Sequence, residues 1–251
     1  MALFKNAEES HQHSLEILSQ LYMYDDFMDS IRVVADMGCG AGLDTLWWAT
    51  LVSRDDPPIP HEYNCFAIDL DLRQFEPDIR RLPNVRMVQE NFEDFYLPSK
   101  IDLMYCHDAF QYAINPLGTL RLWNERLNVN GMLVLSVPLL TSTHYNRVNS
   151  LGRDFQYYNY TPVTLLYMLA VNGFDCNDMF LRKKENDPWL NIAVYKTDVA
   201  PMDPSTTGWH QLAEQGLVAQ TIVDSLDKNG YVKQDELLFR WLDKEFYRIR
   251  I

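Results

Sequence analysis

The chain has 251 residues, with 22 Lys and Arg against 35 Asp and Glu, and its net charge of −13 repels a phosphate backbone and sets nucleic acid aside as a ligand. Hydrophobic residues make up 47% and charged residues 23%, the balance of a folded protein, and the length suits one α/β domain with an appendage. The longest apolar runs, Met132 to Leu140 and Thr164 to Val171, fall far short of the ~20 residues that span a bilayer. The N-terminal MALFKNAEESHQHS lacks the apolar core of a signal peptide, so a cytoplasmic protein that avoids membranes is expected. Cys39, Cys65, Cys106 and Cys176 form no CxxC pair and read as reduced, buried thiols. No His or Cys pair recurs at metal-ligand spacing, so no metal is expected, and His11 and His13, two apart near the N-terminus, are poor candidates for metal ligands too.

Residues 7–31 place Leu15, Leu18, Leu21, Tyr22 and Phe27 at helical intervals, which predicts a leading helix and an N-terminal helical cap over 1–30. Short apolar runs follow at 31–37, 64–69, 85–89, 101–106, 131–137, 174–181 and 189–196. Helical segments near 43–53, 72–81, 116–128 and 161–172 alternate with them, and this alternation predicts a doubly wound, seven-stranded, mostly parallel sheet in a domain over 31–200. The last two strands are joined by the polar RKKENDP, too short for a crossover helix, so they are expected to pair antiparallel. The Pro-containing stretch TDVAPMDPSTTG then marks a linker to an appendage over 201–251, read as a C-terminal helical hairpin with helices near 209–226 and 234–248. Between those helices Ser225 to Glu236 has the glycine and terminal-Glu spacing of a calcium loop, but Ser stands at its first ligand position and an Asn-Gly turn is the better reading.

The most informative segment is VVADMGCGAG (33–42), a strand running into a glycine-rich turn at the mouth of a helix. Glycines let the backbone approach a ligand closely, and the helix offers unpaired N–H groups, so a nucleotide-like ligand is implied. A dinucleotide fold needs a third glycine where Leu43 stands. Asp36, two residues before the first glycine, would repel a pyrophosphate and suits an ammonium-bearing nucleoside. The second strand ends in Asp69, suited to gripping two ribose hydroxyls, and the third leads to ENFED (90–94), where a side-chain amide is placed to meet the edge of a base.

With ADMGCGAG, AIDLD, QENFEDF, IDLMYCHDAFQYAINP, LWNERLNVNGMLVLSVP and YTPVTLLYMLAVNGF in order over about 30–200, the sequence resembles a class I S-adenosylmethionine-dependent methyltransferase, most of all the small-molecule branch that includes ubiquinone- and menaquinone-pathway enzymes. The resemblance implies a Rossmann-like methyltransferase fold and S-adenosylmethionine as cofactor, with S-adenosylhomocysteine as product. It implies that Asp36, Gly38, Cys39, Gly40 and Gly42 surround the methionine part, that Asp69 holds the ribose, and that Leu70 and Phe92 flank the adenine while Asn91 hydrogen-bonds it. The sequence departs from the family at Asn91, where Asp is usual, at Gln111-Tyr112, where Glu-His is common, and at Asn130-Gly131 in place of Gly-Gly.

Methyl transfer from a sulfonium is an in-line displacement that depends on positioning, with a base needed only where the acceptor carries a proton. His107, directly after the fourth strand, is expected to line the cofactor pocket through its backbone, and His144, after the fifth, is the expected base. The aromatic segment 139–160 is expected to wall a small-molecule acceptor, with Tyr158 as a second catalytic residue and Tyr22 and Tyr24 opposite. The alternative from another class is a non-catalytic cofactor-binding subunit acting through the C-terminal helices, which are also the expected seat of a homodimer. A DNA base methyltransferase would need an Asn/Asp-Pro-Pro motif where Cys106-His107-Asp108-Ala109 stands.

Overall fold

The β-branched run that opens at Val33 pairs on both sides, and the whole sheet is built outward from it. In the computed structural model, which describes residues 7–21, 30–52, 60, 62–138, 158, 160–182, 189–232 and 247–249, β1 (Val33–Met37) lies between β2 (Asn64–Ile68) and β4 (Ile101–His107), parallel to both. β3 (Val85–Val88) adds parallel to β2, and β5 (Leu127–Pro138) adds parallel to β4. β7 (Trp189–Lys196) then inserts antiparallel between β5 and β6 (Phe174–Arg182), giving the order β3-β2-β1-β4-β5-β7-β6. The expected antiparallel edge pair is therefore present. The order reverses between β1 and β4, which opens a crevice at their C-terminal ends, where ligands bind in doubly wound sheets.

The crossovers follow from local chemistry. α1 (Ala7–Leu21) precedes the sheet, and α2 (Leu43–Ala49) starts at the glycine turn. Asn115 caps α3 (Pro116–Arg126) through Oδ1 to the Gly118 N–H, and Thr161 caps α4 (Pro162–Val171) through Oγ1 to the Thr164 N–H, each followed by a first-turn proline. Trp123 of α3 is fully buried and donates its indole N–H to the Phe92 carbonyl at 2.8 Å, fixing the loop after β3 to the helix layer.

Three expectations are corrected. Residues 72–81 are two 3-10 turns, Leu72–Gln74 and Ile79–Arg81, because Pro77 interrupts the segment. The helix expected over 209–226 is two short ones, α5 (Trp209–Glu214) and α6 (Gln220–Asp224), broken at Gly216 with φ of 71°. Tyr247 and Arg248, expected at the end of the second hairpin helix, lie instead in a strand, β8 (Tyr247–Ile249), which pairs antiparallel with β6 as an eighth strand; the rest of that helix, 233–246, lies outside the described residues. Leu212, Leu217, Val218 and Ile222 of this region are buried in the main core, and the Cys176 N–H of β6 donates to the Leu217 carbonyl. The Asn229-Gly230 turn is closed by Asp227, whose Oδ1 accepts the N–H groups of Asn229 and Tyr231.

Candidate functional site

The loop after β1 turns on three glycines in the left-handed region, Gly38, Gly40 and Gly42, with φ of 75°, 53° and 83°. Each has a different reason. A Cβ on Gly38 would stand 2.3 Å from the Ala109 Cβ, and one on Gly42 would stand 2.4 Å from the Phe75 ring, so both are packing positions. A Cβ on Gly40 would meet nothing within 4 Å, because the loop there faces open space. That space is a cavity of about 310 Å³, lined on one side by Asp36, Gly38, Cys39, Gly40 and Ala41, and on the other by Ala7, Ser10 and His11 of α1. His107 and Asp108, at the end of β4, close it.

Asp36 is 4% exposed, and its Oδ2 accepts the Thr45 hydroxyl at 2.6 Å. Burial, then the charges of Asp44 and Asp69, push its carboxyl up to about 8. A buried carboxylate beside two others is a site that a bound cation relieves. Asp69 braces the loop: its Oδ2 accepts the Gly40 N–H and its Oδ1 the Asp71 N–H, each at 2.9 Å, so β2 holds the turn at its open position. The Cys39 thiol, pushed far up by burial and by Asp36 and Asp69, is not a nucleophile.

A family model for a methyltransferase domain matches residues 35–135, the span from β1 through the glycine loop to β5. A malonyl-[acyl-carrier protein] O-methyltransferase of Coxiella burnetii is 30% identical over 113 residues, which are 43% of this chain and 42% of that protein, so the match spans less than half of either. Residues 35–135 are therefore similar to a methyltransferase domain. Two solved structures share the chain's fold. A candidate S-adenosylmethionine-dependent methyltransferase from Listeria monocytogenes superposes with a TM-score of 0.55 at 21% identity, covering 75% of this chain and 99% of that one. The 1,6-didemethyltoxoflavin-N1-methyltransferase of Burkholderia thailandensis, solved with 1,6-didemethyltoxoflavin and S-adenosylhomocysteine, does so at 0.51 and 16%, covering 78% and 94%.

The cavity fits S-adenosylmethionine on grounds of its own. The open face at Gly40 is a cradle for a close-lying ligand, and the buried Asp36 carboxyl meets the positive charge that an ammonium or sulfonium brings. Of the residues expected at the site, Asp36, Gly38, Cys39, Gly40 and His107 line this one cavity, Gly42 packs behind it on Phe75, and Asp69 reaches it through Gly40. The others lie apart from its lining. Leu70 is 63% exposed, the Asn91 Oδ1 accepts the Glu93 N–H in a tight turn, and Phe92 is buried against Trp123. Tyr158 donates its hydroxyl to the Ile114 carbonyl at 3.3 Å and stacks on Tyr160. His144, Tyr22 and Tyr24, with most of the 139–160 segment, lie outside the described residues.

His107 enters by its ring as well as its position. Its Nδ1 lies 3.3 Å from the Ser10 hydroxyl, its Nε2 lies 2.9 Å from the Nδ1 of His13, and the ring stacks on Trp189. Burial, then His13 and His11, hold it down to about 3, so it is neutral at physiological pH. His11 donates Nδ1–H to the Asp44 carboxylate at 2.5 Å, and Ser14 and Tyr105 share a hydrogen bond at 2.5 Å. Their role is one of packing: Ser10, His11, His13 and Ser14 bind α1 to α2 and to the end of β4. Ser10 and Ser14, one helical turn apart and beside the buried Ile17 and Leu18, were the available signal.

Proposed function

We propose that the protein transfers the methyl group of S-adenosylmethionine to a small-molecule acceptor. The observation that carries this reading is the buried Asp36 carboxyl at the open glycine turn, which a cationic nucleoside-like ligand would draw into its charged form. When bound there, S-adenosylmethionine supplies an electrophilic methyl on sulfur. Asp36 pairs with the ammonium, the N–H groups of the glycine loop meet the amino-acid end, and Asp69 offers its remaining lone pairs to the ribose. Leu70, Asn91 and the loop before Phe92 belong to the adenine side.

α1 lines the cavity opposite the glycines through Ala7, Ser10 and His11, and this low-dielectric wall raises the electrostatic pull of the carboxylates on a cation. The acceptor approaches from the end of β4, where His107 and Asp108 stand. The named relatives act on different acceptors, malonyl-[acyl-carrier protein] and 1,6-didemethyltoxoflavin, and the acidic lining of this cavity favours an uncharged or cationic small molecule over a polyanion. The free cysteines among the described residues are all buried, in keeping with a reducing compartment such as the cytoplasm. Among the described residues, no helix is long and apolar enough to cross a membrane.

The test is turnover: with methyl-labelled S-adenosylmethionine and a low-molecular-weight cell extract, label should pass to an extract component and S-adenosylhomocysteine should accumulate. Binding of the cofactor with no product from any extract would favour the non-catalytic alternative.

A further inference from the structure

Asp108 follows β4 directly and lines the same cavity as Asp36 and the glycine loop. Its φ of 53° lies in the left-handed region, which a non-glycine residue rarely adopts and where its surroundings must hold it. The surroundings hold it there: its N–H donates to the Ser136 carbonyl of β5 at 3.1 Å, and its Oδ1 accepts the Gln111 amide N–H at 2.6 Å. Gln111 is fully buried, and its Oε1 has no hydrogen-bond partner. An amide in that position serves either state of the acid. It donates to a carboxylate as placed and, turned over, accepts from a protonated carboxyl.

The cavity's other titratable groups are already committed. Asp36 is held by Thr45 and answers a cation, His11 is bound to Asp44, and both ring nitrogens of His107 face partners on α1. We propose that Asp108 is the general base of the transfer, with Gln111 as its positioning residue, and that the acceptor bears a hydroxyl or protonated nitrogen. This rests on the methyl-transfer reading. The acceptor proton passes to a carboxylate oxygen of Asp108, the freed lone pair forms the bond to the methyl carbon, and the carbon–sulfur pair stays with sulfur. One carboxylate becomes a carboxylic acid as one sulfonium becomes a thioether. A carboxylate acceptor would need no base and would be repelled by Asp36, Asp44 and Asp108.

The groups that face Asp108 are His13 from α1 and Cys106 and His107 from β4, while Asp36 after β1 and Asp44 of α2 share its cavity. Burial raises the Asp108 carboxyl to about 7, against the pull of Gln111 and His13, which suits a base working near neutrality.

The experiment compares the full chain with Asp108→Asn and Gln111→Leu, Asn being a residue that tolerates the left-handed backbone. Carboxyl-carbon NMR without cofactor should show a resonance titrating near pH 7 that Asp108→Asn removes and Gln111→Leu moves upward, because losing the donor disfavours the carboxylate. In the extract that supports turnover, the wild-type rate should rise with pH to a plateau, and Asp108→Asn should cut it by about 10²-fold and abolish that rise, with S-adenosylhomocysteine affinity kept within about threefold. Asp108→Asn with wild-type turnover and pH profile overturns the inference alone. Wild-type protein that fails to bind S-adenosylhomocysteine overturns the methyl-transfer reading and the inference together.

Discussion

His107 and His13 share one hydrogen bond, Nε2 to Nδ1 at 2.9 Å, so one ring donates the proton that the other accepts, and α1 is fastened to the end of the central strand β4. The same bond couples the seat of the helix to the shape of the cavity, since Ser10 and His11 line its outer wall.

Replacing His13 with Ala should therefore leave a buried imidazole short of a partner. The expected cost is about 1–3 kcal/mol, seen as a lower melting temperature. Weaker binding of S-adenosylhomocysteine should accompany it, because the helix that walls the cavity loses its tie. A variant with unchanged melting and unchanged binding would separate α1 from the site.

Stability should fall with pH just above neutrality. The Asp36 carboxyl sits at about 8 in the folded protein against 3.8 as its ordinary value, so between those limits the native state keeps a proton that the unfolded chain has lost. Stability from this group is full below pH ~4 and is lost as pH rises to about 8. His107 opposes it at the acid end, because its folded value near 3 lies below 6.5 and the unfolded chain takes up the proton first. Between pH 6.5 and 8 the carboxyl slope is left, at most about 1.4 kcal/mol per pH unit per group. The melting temperature should drop across that interval, and Asp36→Asn should make the drop shallower, leaving below about pH 7 the part that Asp108 contributes.

The three loop glycines should separate by kind. Gly38→Ala and Gly42→Ala meet Ala109 and Phe75 inside 2.5 Å and also need a left-handed backbone, so each should cost more than about 1 kcal/mol of stability. Gly40→Ala meets open space, so its cost to folding should be the smallest, while its methyl group takes room from the cradle and lowers ligand affinity. Thermal melts beside ligand titrations distinguish the two effects.

Much of this was legible in the chain. The strand-helix alternation, the glycine turn and the antiparallel β6–β7 pair follow from short-range patterns, and Asp36 announced its role by repelling the ligand a dinucleotide fold would hold. Other features depended on distant partners. Pro77 marks the break in 72–81, but nothing local shows that Leu72, Phe75 and Ile79 seat that segment against Cys39 and Ala67, and the strand at 247–249 exists only because β6 offers it an edge. Phe92 packs edge-on with Trp123, a partner that no local pattern shows, and Asp108 has no motif to mark it. Its place in the site comes from the turn after β4 and a glutamine three residues on.

The central claim is that the pocket at the glycine turn, between Asp36 and the Asp69-braced loop, holds S-adenosylmethionine. Calorimetric titration of S-adenosylhomocysteine into the wild-type chain and into Asp69→Ala and Gly40→Val tests it directly. The account predicts one site per chain in the wild type and a loss of at least about tenfold in affinity in both variants, since one releases the loop and the other fills it. Absence of binding to the wild type, or wild-type affinity in both variants, would contradict it.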